Sequence, residues 1–393
     1  MDPASPWTIE NNRPIFPKLT GSVEVDVAVI GGGISGMMTA YELSKSGKKV
    51  ALLERARLGE GVTGWTTAFV TYVTDASLES LERRFGTKQG ILAWETGRAA
   101  IRELERIVKE ENIECDFVRC PAFVYAARED DLKSLSAASY FMQAAGFASS
   151  LEKGELPFTN AGCLRIEDQA KFHPVKFLLG LAAKMSDAGV LIFERTEMIG
   201  YERGAGIIVK TPDGEAHAKE LVLATYRPPE NANNPQLISN QTYALEADLP
   251  AGSLPTGLYW DSEHPYHYFR VDHGHGADRI ILGGEDRPTG SGHHAEHFSA
   301  LEDFLRRTFP GINYELKKEW SGEILETPDG LPFIGALDEA NDVFIMTGFS
   351  GNGMTFGVAG AMLIGDLLMG RKNEAIELLN PRRSTNETES KAL

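Results

Sequence analysis

Three glycines near the start of the sequence have the spacing that brings a peptide backbone close to a phosphate. Gly31, Gly33 and Gly36 lie between an apolar segment, residues 25–30, and a segment of helical character that begins at Ile34. In such a pattern the first glycine permits a tight turn, the second a close approach to a pyrophosphate, and the third tight packing of helix on strand. The amino terminus of the helix would add N–H donors and the positive end of its dipole.

A carboxylate follows the glycines at the distance that ribose recognition requires. Residues 50–53 form a second apolar strand pattern that ends at Glu54. An acid at this place can accept hydrogen bonds from both hydroxyls of a ribose. Since strand, glycine loop, helix, second strand and acid occur in the expected order, we predict a dinucleotide-binding unit. These residues alone do not distinguish NAD from FAD.

A second glycine loop lies near the other end of the sequence. Residues 343–347 form an apolar strand pattern, residues 348–354 read Gly-Phe-Ser-Gly-Asn-Gly-Met, and a helical pattern continues to about Met369. The amino terminus of that helix could direct N–H donors at N1 and O2 of a flavin, where negative charge collects upon reduction. Two such helix ends favour a long ligand such as FAD over a freely exchanging NAD.

Helices and strands are predicted to alternate along the chain, as in an α/β fold, and these elements would position both loops. A chain of 393 residues is too long for one compact core and indicates two domains. Helices are predicted over residues 78–111, 129–145 and 174–188, and strands over residues 117–127, 190–193, 207–210 and 221–224. A break in regular structure is predicted at residues 231–235, followed by antiparallel strands within residues 241–284.

The composition excludes several classes of function. The net charge of −17 argues against nucleic acids and anionic membranes, which require basic surfaces, and mildly favours a cationic or neutral substrate. Residues 1–20 do not resemble a signal peptide, and no apolar stretch approaches the roughly 20 residues of a membrane span, so we predict a cytoplasmic protein without a transmembrane segment. The three scattered cysteines, Cys115, Cys120 and Cys163, indicate buried reduced thiols.

Further motifs are spread over residues 26–370. They read Glu54-Arg55, Thr63-Gly-Trp-Thr-Thr-Ala68, His173-Pro-Val, Ala224-Thr225, Leu282-Gly-Gly-Glu-Asp286 and Thr327-Pro-Asp-Gly-Leu-Pro-Phe-Ile-Gly335. With the two glycine loops, they resemble the D-amino-acid-oxidase-type FAD-dependent oxidoreductases, the family that includes glycine oxidase and sarcosine oxidase. Trp260-Asp, Pro265-Tyr-His-Tyr-Phe-Arg270 and Gly353-Met-Thr-Phe-Gly357 are most similar to members that carry a C-terminal Rieske domain.

Metal ligands are not indicated in this sequence. It contains no Cys-x-His pair, which a Rieske iron–sulfur cluster would need, so no Rieske domain is expected here. His293 and His297 are four residues apart, but the histidines in this region lie in loop-like sequence, so no metal site is predicted. They are His273, His275, His293, His294 and His297.

The resemblance implies an α/β fold in which a discontinuous Rossmann-type FAD-binding domain carries an inserted substrate domain built on an antiparallel sheet. By position, the FAD-binding domain would comprise residues 24–85, 160–235 and 320–372, and the substrate domain residues 86–159 and 236–319. Residues 1–23 would form an N-terminal extension and residues 382–393 a disordered tail. The residues expected to bind FAD are Gly31, Gly33, Ile34, Ser35, Gly36, Glu54, Arg55, Thr63, Thr67, Ala68, Phe69, Met198, Phe349, Ser350, Gly351, Asn352, Gly353, Met354 and Thr355.

Four positions depart from the family pattern. Glycine-oxidase-like members clamp the substrate carboxylate with two arginines, and these positions hold Ile324 and Gly351 here. Their loss argues against a simple α-amino acid, because a bidentate arginine is the natural carboxylate clamp. The lysine that activates O₂ in some relatives is replaced by Ile281, which leaves an electron-acceptor protein as an alternative to O₂. The flavin-linking cysteine of those relatives aligns with Gly322, so non-covalent FAD is expected.

Tyr266, His267 and Arg270 are the predicted catalytic or substrate-binding residues. Strand alternation places Tyr266, Tyr268 and Arg270 on one face and His267 on the other. The family uses the Tyr266 position near the substrate, which favours that face. Arg270 is a possible replacement for the missing carboxylate clamp.

These observations predict an FAD-dependent oxidoreductase that removes a hydride from the C–H next to nitrogen in an amine or amino-acid-like substrate. The protein would orient that C–H bond and stabilise the reduced flavin through backbone groups of residues 351–354. A 2-hydroxy-acid dehydrogenase on the same fold is one alternative. A flavoprotein subunit that docks a separate Rieske or other electron-transfer protein is the second.

Overall fold

The computed structural model describes residues 5–9, 13–154, 156–229, 236–263, 265–274, 276–292 and 294–385. The strands are β1 (Gly21–Glu24), β2 (Val27–Ile30), β3 (Val50–Leu53), β4 (Phe69–Val70), β5 (Val118–Ala126), β6 (Ser149–Glu152), β7 (Gly162–Lys171), β8 (Leu191–Phe193), β9 (Gly200–Arg203), β10 (Ile207–Lys210), β11 (Gly214–Ala218), β12 (Glu220–Leu223), β13 (Ile238–Pro250), β14 (Leu258–Asp261), β15 (His267–His273), β16 (Ala277–Pro288), β17 (Glu315–Glu326), β18 (Phe333–Ala336) and β19 (Val343–Thr347). The helices are α1 (Ile34–Lys45), α2 (Leu78–Phe85), α3 (Thr87–Glu110), α4 (Asp131–Ala144), α5 (Pro174–Asp187), α6 (His294–Thr308), α7 (Gly353–Leu368) and α8 (Ala375–Leu378). Short 3₁₀ turns occupy Val62–Gly64 and Ser350–Asn352.

A six-stranded sheet in the order β18-β19-β12-β2-β3-β8 forms the base of the site. All its neighbours pair in parallel except β18 with β19. Strands β2, β3 and β19 are buried along their whole length, which explains their unbroken apolar sequences. Ile30 pairs with both Leu53 and Leu223, so the three chain segments that follow these residues emerge side by side at one edge.

Helices α1 and α7 meet closely near their amino termini. A Cβ atom at Gly357 in α7 would lie 2.8 Å from the hydroxyl of Ser35 in α1, so a larger residue would force the helices apart. The amino-terminal ends of the two helices, each of which follows a glycine loop, are therefore held beside each other.

The second large layer is a sheet that is antiparallel except where β14 and β5 pair in parallel, and it is called the antiparallel sheet below. Its path runs β17-β13-β16-β15-β14-β5-β7-β4, with β6 added on β7. Helix α6 covers one face through Leu301, Phe304 and Leu305, which pack against the apolar residues of β13, β15 and β16. Strand β17 lies at the edge of this sheet and pairs with β13 along almost its full length. A separate four-stranded sheet, β1-β11-β10-β9, stands beside the parallel sheet.

The predicted mixed α/β fold is confirmed, whereas several boundaries are corrected. The helix predicted over residues 78–111 is two helices, because Gly86 between them has φ +87 and ends the first one. Strands β7 and β17 both belong to the antiparallel sheet, and the division into domains at residues 160 and 320 stays a prediction. Helix α6 replaces the predicted loop around His294 and His297.

Some predictions fall on residues outside the described part, namely the break at 231–235, His275, His293 and the tail beyond residue 385. Within the described part of the predicted tail, Arg383 is ordered by ion pairs to both carboxylate oxygens of Asp329, at 2.7 and 2.8 Å. The three cysteines are buried, and no disulfide joins one of them to another. Among the described helices none is both long enough and apolar enough to span a bilayer, and the cytoplasmic location stays a prediction.

Candidate functional site

A cavity of about 570 Å³ lies at the carboxyl ends of β2 and β3 and extends to the amino terminus of α7. Residues from both glycine loops contribute to its wall, together with residues of the antiparallel sheet. Its wall therefore joins segments that are more than 300 residues apart in the sequence. Ligand sites of α/β folds occur at this edge of a parallel sheet.

The first glycine loop can exist only with small residues. Gly31 has φ +113, and a Cβ atom there would overlap the carbonyl oxygen of Ala224, the residue that follows the neighbouring strand β12. A Cβ at Gly36 would overlap the carbonyl oxygen of Gly31, so this residue permits α1 to approach the loop. Gly33 faces the hydroxyl of Thr63, which accepts a hydrogen bond from the Ile34 N–H at 3.0 Å. These contacts are what a pyrophosphate-binding turn requires.

Glu54 lies beside this loop, directly after strand β3. Its carboxylate accepts hydrogen bonds from the N–H of Gly32 at 2.6 Å and of Ala56 at 2.8 Å. Each oxygen retains a lone pair, because an ionised carboxylate has about four acceptor positions. The side chain lines the cavity together with Arg55 and Met198. This position suits recognition of a ribose, as the sequence predicts.

The second loop approaches the cavity in a strained conformation. Ser350 has φ +50, a value that few non-glycine residues adopt and that is often found at ligand sites. Its hydroxyl donates to Asp75, and the N–H of Gly351 donates to the same carboxylate at 3.0 Å. The Gly351 N–H is therefore already engaged. No side chain caps α7, so its first turn presents backbone N–H groups near Gly353 and Met354.

Most of the residues predicted to bind FAD line the cavity. These are Gly31, Gly33, Ile34, Ser35, Glu54, Arg55, Thr63, Thr67, Met198, Phe349, Ser350, Gly351, Gly353 and Met354. Five others lie behind the wall, namely Gly36, Ala68, Phe69, Asn352 and Thr355. Asn352 and Thr355 instead fix the start of α7 by donating to the carbonyl oxygens of Val73 and Thr71, at 2.9 and 2.8 Å.

Tyr266 and Tyr268 form a stacked aromatic pair at the α7 end of the cavity. Their ring centroids are 5.7 Å apart. Tyr268 lines the cavity, and its ring occupies the space that a side chain at Gly283 would fill. The hydroxyl of Tyr266 donates to Oδ2 of Asp286 at 3.2 Å, whereas that of Tyr268 lies 3.2 Å from the hydroxyl of Thr242. Tyr266, one of the predicted substrate residues, therefore packs behind the ring of Tyr268 and does not line the cavity.

Arg270 is not available as a carboxylate clamp, and this prediction is corrected. Its side chain is 2% exposed and does not line the cavity. Nη2 pairs with Asp272 at 2.7 and 2.8 Å, and Nη1 donates to the carbonyl oxygens of Ala68 and Phe172 at 2.8 and 3.1 Å. The guanidinium also lies over the ring of Trp7. It ties the Thr67–Ala68 segment to the sheet.

His267 is likewise removed from the substrate residues, because it lies on the opposite face of β15. Its Nδ1 is 3.0 Å from Asp261, its Nε2 is 3.7 Å from Glu285, and its ring stacks on Phe304. Asp261, Glu263 and His267 are close enough to hold a cation, but Glu263 is exposed and the geometry is explained by the His267–Asp261 hydrogen bond. We assign no metal to this group.

Several cavity residues were not predicted from the sequence. Trp65 and Trp320 are two of them, and the Trp320 ring N–H on β17 donates to the carbonyl oxygen of Trp65, in the loop after the first 3₁₀ turn, at 2.8 Å. Tyr226, at φ +68, donates from its hydroxyl to the carbonyl oxygen of Glu323 in β17 at 2.5 Å. The sequence around a single aromatic residue does not predict such contacts, because they depend on where β17 pairs in the sheet.

The four departures from the family pattern also lie in or near the wall. Ile324, Gly351 and Gly322 line the cavity, whereas Ile281 is buried in the sheet. Gly322 presents no atom that could bond covalently to a flavin. Arg227 lines the cavity, but its guanidinium pairs with Glu323, with Nε 3.1 Å from the carboxylate. No unpaired arginine is seen at the α7 end within the described chain.

The sequence over residues 26–367 matches the profile of the DAO family, described as FAD dependent oxidoreductase. The chain belongs to this family of FAD-dependent oxidoreductases. Its cofactor is therefore FAD, and the glycine cradle, Glu54 and the uncapped start of α7 fit that group. The resemblance stated from the motifs is confirmed.

Known relatives agree with this membership. The chain is 30% identical over 97% of its length to the putative Rieske 2Fe-2S iron-sulfur protein YhfW of Bacillus subtilis, of which it covers 76%. It is 25% identical over 92% of its length to gamma-glutamylputrescine oxidoreductase of Escherichia coli, covering 87% of that protein. Among solved structures, glycine oxidase from Geobacillus kaustophilus aligns with a TM-score of 0.78 over 92% of this chain and all of that one, at 19% identity. The last comparison establishes the fold of this FAD-dependent oxidoreductase.

Proposed function

We propose that this FAD-dependent oxidoreductase oxidises the C–H bond next to the nitrogen of a small amine or amino-acid-like substrate. The observation that carries the proposal is the continuity of the cavity from the Gly31 loop and Glu54 to the start of α7, where Tyr268 and Thr242 close the wall. A ligand held by its ADP half at the first loop would present its reactive ring at the second. Relatives named for glycine and for gamma-glutamylputrescine support a nitrogen-containing substrate.

Bound FAD would supply the acceptor for the hydride and its two electrons. The chain's own residues hold the substrate and exclude water. Tyr268 lines the wall beside Thr242, and Phe69 packs edge to face on Tyr268 from behind, with ring centroids 5.4 Å apart. The resulting imine would be hydrolysed by water to a carbonyl compound and the released nitrogen compound, which balances the reaction.

Anaerobic bleaching of the flavin tests this proposal. Purified holoprotein would be mixed with a panel of amines, amino acids and 2-hydroxy acids, and the flavin absorption followed. Bleaching by a nitrogen compound supports the proposal. Bleaching by 2-hydroxy acids alone would select the hydroxy-acid dehydrogenase instead, and a protein that carries no flavin after gentle purification would contradict both.

The electron acceptor is a separate part of the proposal. Ile281 stands where some relatives have a lysine that activates O₂, and it is fully buried. We therefore expect slow reoxidation of the reduced protein by O₂ and faster reoxidation by an artificial or protein acceptor. Stopped-flow reoxidation with and without such an acceptor measures this difference, and rapid reoxidation by air alone would contradict it.

A further inference from the structure

The segment between Glu54 and β4 forms a large part of the cavity wall. We call residues 55–67 the cofactor loop, and its regular structure is limited to the 3₁₀ turn Val62–Gly64. Its members on the wall include Arg55, Thr63, Trp65, Thr66 and Thr67. Because fixing each residue of such a segment costs conformational entropy, contacts from elsewhere in the chain must hold it in one conformation.

The N-terminal extension supplies one such contact near the start of the cofactor loop. We call its described part, residues 5–9 and 13–19, the N-terminal strap. The side chain of Arg13 is 7% exposed, and its Nη2 donates to the carbonyl oxygen of Leu58 at 2.7 Å. The buried carboxylate of Glu194 accepts from the Leu58 N–H at 2.9 Å and lies 3.9 Å from the same Nη2. Both backbone polar groups of Leu58 are therefore held from outside the loop.

The same strap contacts the other end of the cofactor loop through Trp7. Trp7 is 1% exposed, and its ring N–H donates to the carbonyl oxygen of Thr66 at 2.6 Å. Cζ of Arg270 lies over this ring at 5.2 Å from its centroid, and the ring of His173 meets it edge to face at 5.0 Å. These rings and the cation fix the orientation of the indole, and the indole in turn fixes the main chain at Thr66.

The strap is itself attached to other parts of the fold. Nζ of Lys318 on β17 donates to the carbonyl oxygen of Ser5 at 3.1 Å. The carbonyl oxygen of Pro17 accepts from the N–H of Glu194, directly after β8, at 3.1 Å. The strap therefore links the antiparallel sheet to the parallel sheet and contacts the cofactor loop at two points between these attachments.

The two contact points lie toward different ends of the cavity. Leu58 lies against the first glycine loop, since a Cβ atom at Gly32 would be 2.5 Å from its side chain. Thr66 lies toward α7, since Phe69, shortly after it, packs on Tyr268 at that end. The start of the cofactor loop would therefore face the ADP half of FAD, and its last residues would face the flavin half.

We propose that the N-terminal strap is a positioning element of the FAD site, in which Arg13 holds the part of the cofactor loop that faces ADP and Trp7 holds the part that faces the flavin. None of the described residues of the strap lines the cavity, so the strap acts through the loop. It also precedes residue 26, where the match to the family profile begins. This inference concerns the cofactor and does not depend on which substrate is oxidised.

Release of FAD from the holoprotein tests this inference. Dilution of the holoprotein frees FAD, which is followed by its fluorescence, and added ADP displaces FAD, so that a dissociation constant is obtained for each ligand. Arg13→Ala should raise both constants about 10-fold. Trp7→Ala should raise the constant for FAD about 10-fold and that for ADP less than about 3-fold, because its contact lies at the flavin end. A residue that only stabilised the fold would not separate the two ligands.

Further variants isolate the contacts. Trp7→Phe keeps an aromatic ring over Arg270 but lacks the N–H donor, and it should raise the constant for FAD about 3- to 10-fold. Arg13→Lys retains a donor and should recover part of the affinity. Ile15→Ala, at a strap residue that is 78% exposed, should leave both constants unchanged.

Two results would overturn this inference. The first is FAD and ADP constants for the Arg13 and Trp7 variants that equal those of the Ile15 variant. The second is an equal rise for both ligands in the Trp7 variants, which would show a general loss of stability. Either result would leave the proposed function intact, because flavin bleaching by a substrate is measured on protein that is loaded with FAD.

Discussion

Nη1 of Arg270 lies 2.8 Å from the carbonyl oxygen of Ala68. Ala68 has φ +59, a left-handed conformation that costs a non-glycine residue about 1–3 kcal/mol. The hydrogen bond from Arg270 holds this strained residue where the preceding one, Thr67, reaches the cavity. Arg270, which the sequence predicted to bind a substrate carboxylate, thus positions the Thr67–Ala68 segment of the cavity wall instead.

Arg270→Ala should therefore destabilise the protein and weaken FAD retention. The change removes one of the two cations that pair with Asp272, the other being Lys171, and it leaves the carbonyl oxygen of Ala68 without its donor, so the unfolding free energy should fall by about 1–3 kcal/mol. Urea unfolding and flavin content per protein measure both effects. Arg306→Ala removes an exposed pair on α6 and should cost below about 1 kcal/mol. Equal losses in the two variants would contradict this role for Arg270.

Gly36→Ala should disrupt the first glycine loop. The added methyl group would overlap the carbonyl oxygen of Gly31, so α1 must shift and the unfolding free energy should fall by about 1–3 kcal/mol. Flavin absorbance after gel filtration should fall as well. Gly204→Ala is the control, because a Cβ there meets no atom within 4 Å. Full flavin content in the Gly36 variant would show that the loop tolerates the shift.

Glu54→Gln should weaken FAD binding about 10- to 100-fold. The carboxylate of Glu54 accepts from the N–H groups of Gly32 and Ala56, whereas an amide has one acceptor oxygen and would turn its NH₂ group toward one of these donors. The amide also lacks the negative charge that would favour the ribose hydroxyls. Titration of the flavin-free protein with FAD, read by quenching of flavin fluorescence, measures the change. Glu339→Gln, at an exposed turn, should not alter the affinity.

Burial raises the pKa of Asp286, and this shift has a consequence for stability. A carboxyl that binds its proton more tightly in the folded protein than in the unfolded chain begins to destabilise the fold as the pH rises through the unfolded-state pKa, and the cost is complete above the folded-state pKa. Asp286→Asn should therefore unfold at a higher urea concentration than the unaltered protein at pH 7. Their difference should shrink as the pH falls through the raised folded-state pKa and vanish below the ordinary aspartate pKa of 3.8. A less stable variant at pH 7 would show that the carboxylate is compensated.

Sequence patterns predicted the cofactor end of the site because local spacing encodes it. The strand, glycine loop, helix and Glu54 occupy one continuous segment, and each residue acts through backbone geometry that its type enforces. The strand β3, Val50–Leu53, and the start of α1 at Ile34 agree with the structure to the residue. Glycine positions are informative in this way because any side chain would collide with a defined neighbour.

The substrate end was less predictable because its contacts join distant segments. Strand alternation placed Tyr268 and Arg270 on one face correctly, yet it carries no information on how far along the strand the cavity extends. The partners of Arg270 come from residues about 100 and 200 positions away. Likewise, the pairing of Asp75 with Ser350 and Gly351 has no signature in either local sequence.

Strand β17 ends the antiparallel sheet at the cofactor cavity, where the wall includes Trp320, Gly322, Glu323 and Ile324. Strand edges with free backbone groups are templates for joining another chain. The hydroxyl of Tyr226 occupies one backbone oxygen of this strand, that of Glu323, and bound FAD would lie against the same residues. An edge strand, which in other sheets invites pairing with a second chain, thus forms part of the wall of the cofactor site.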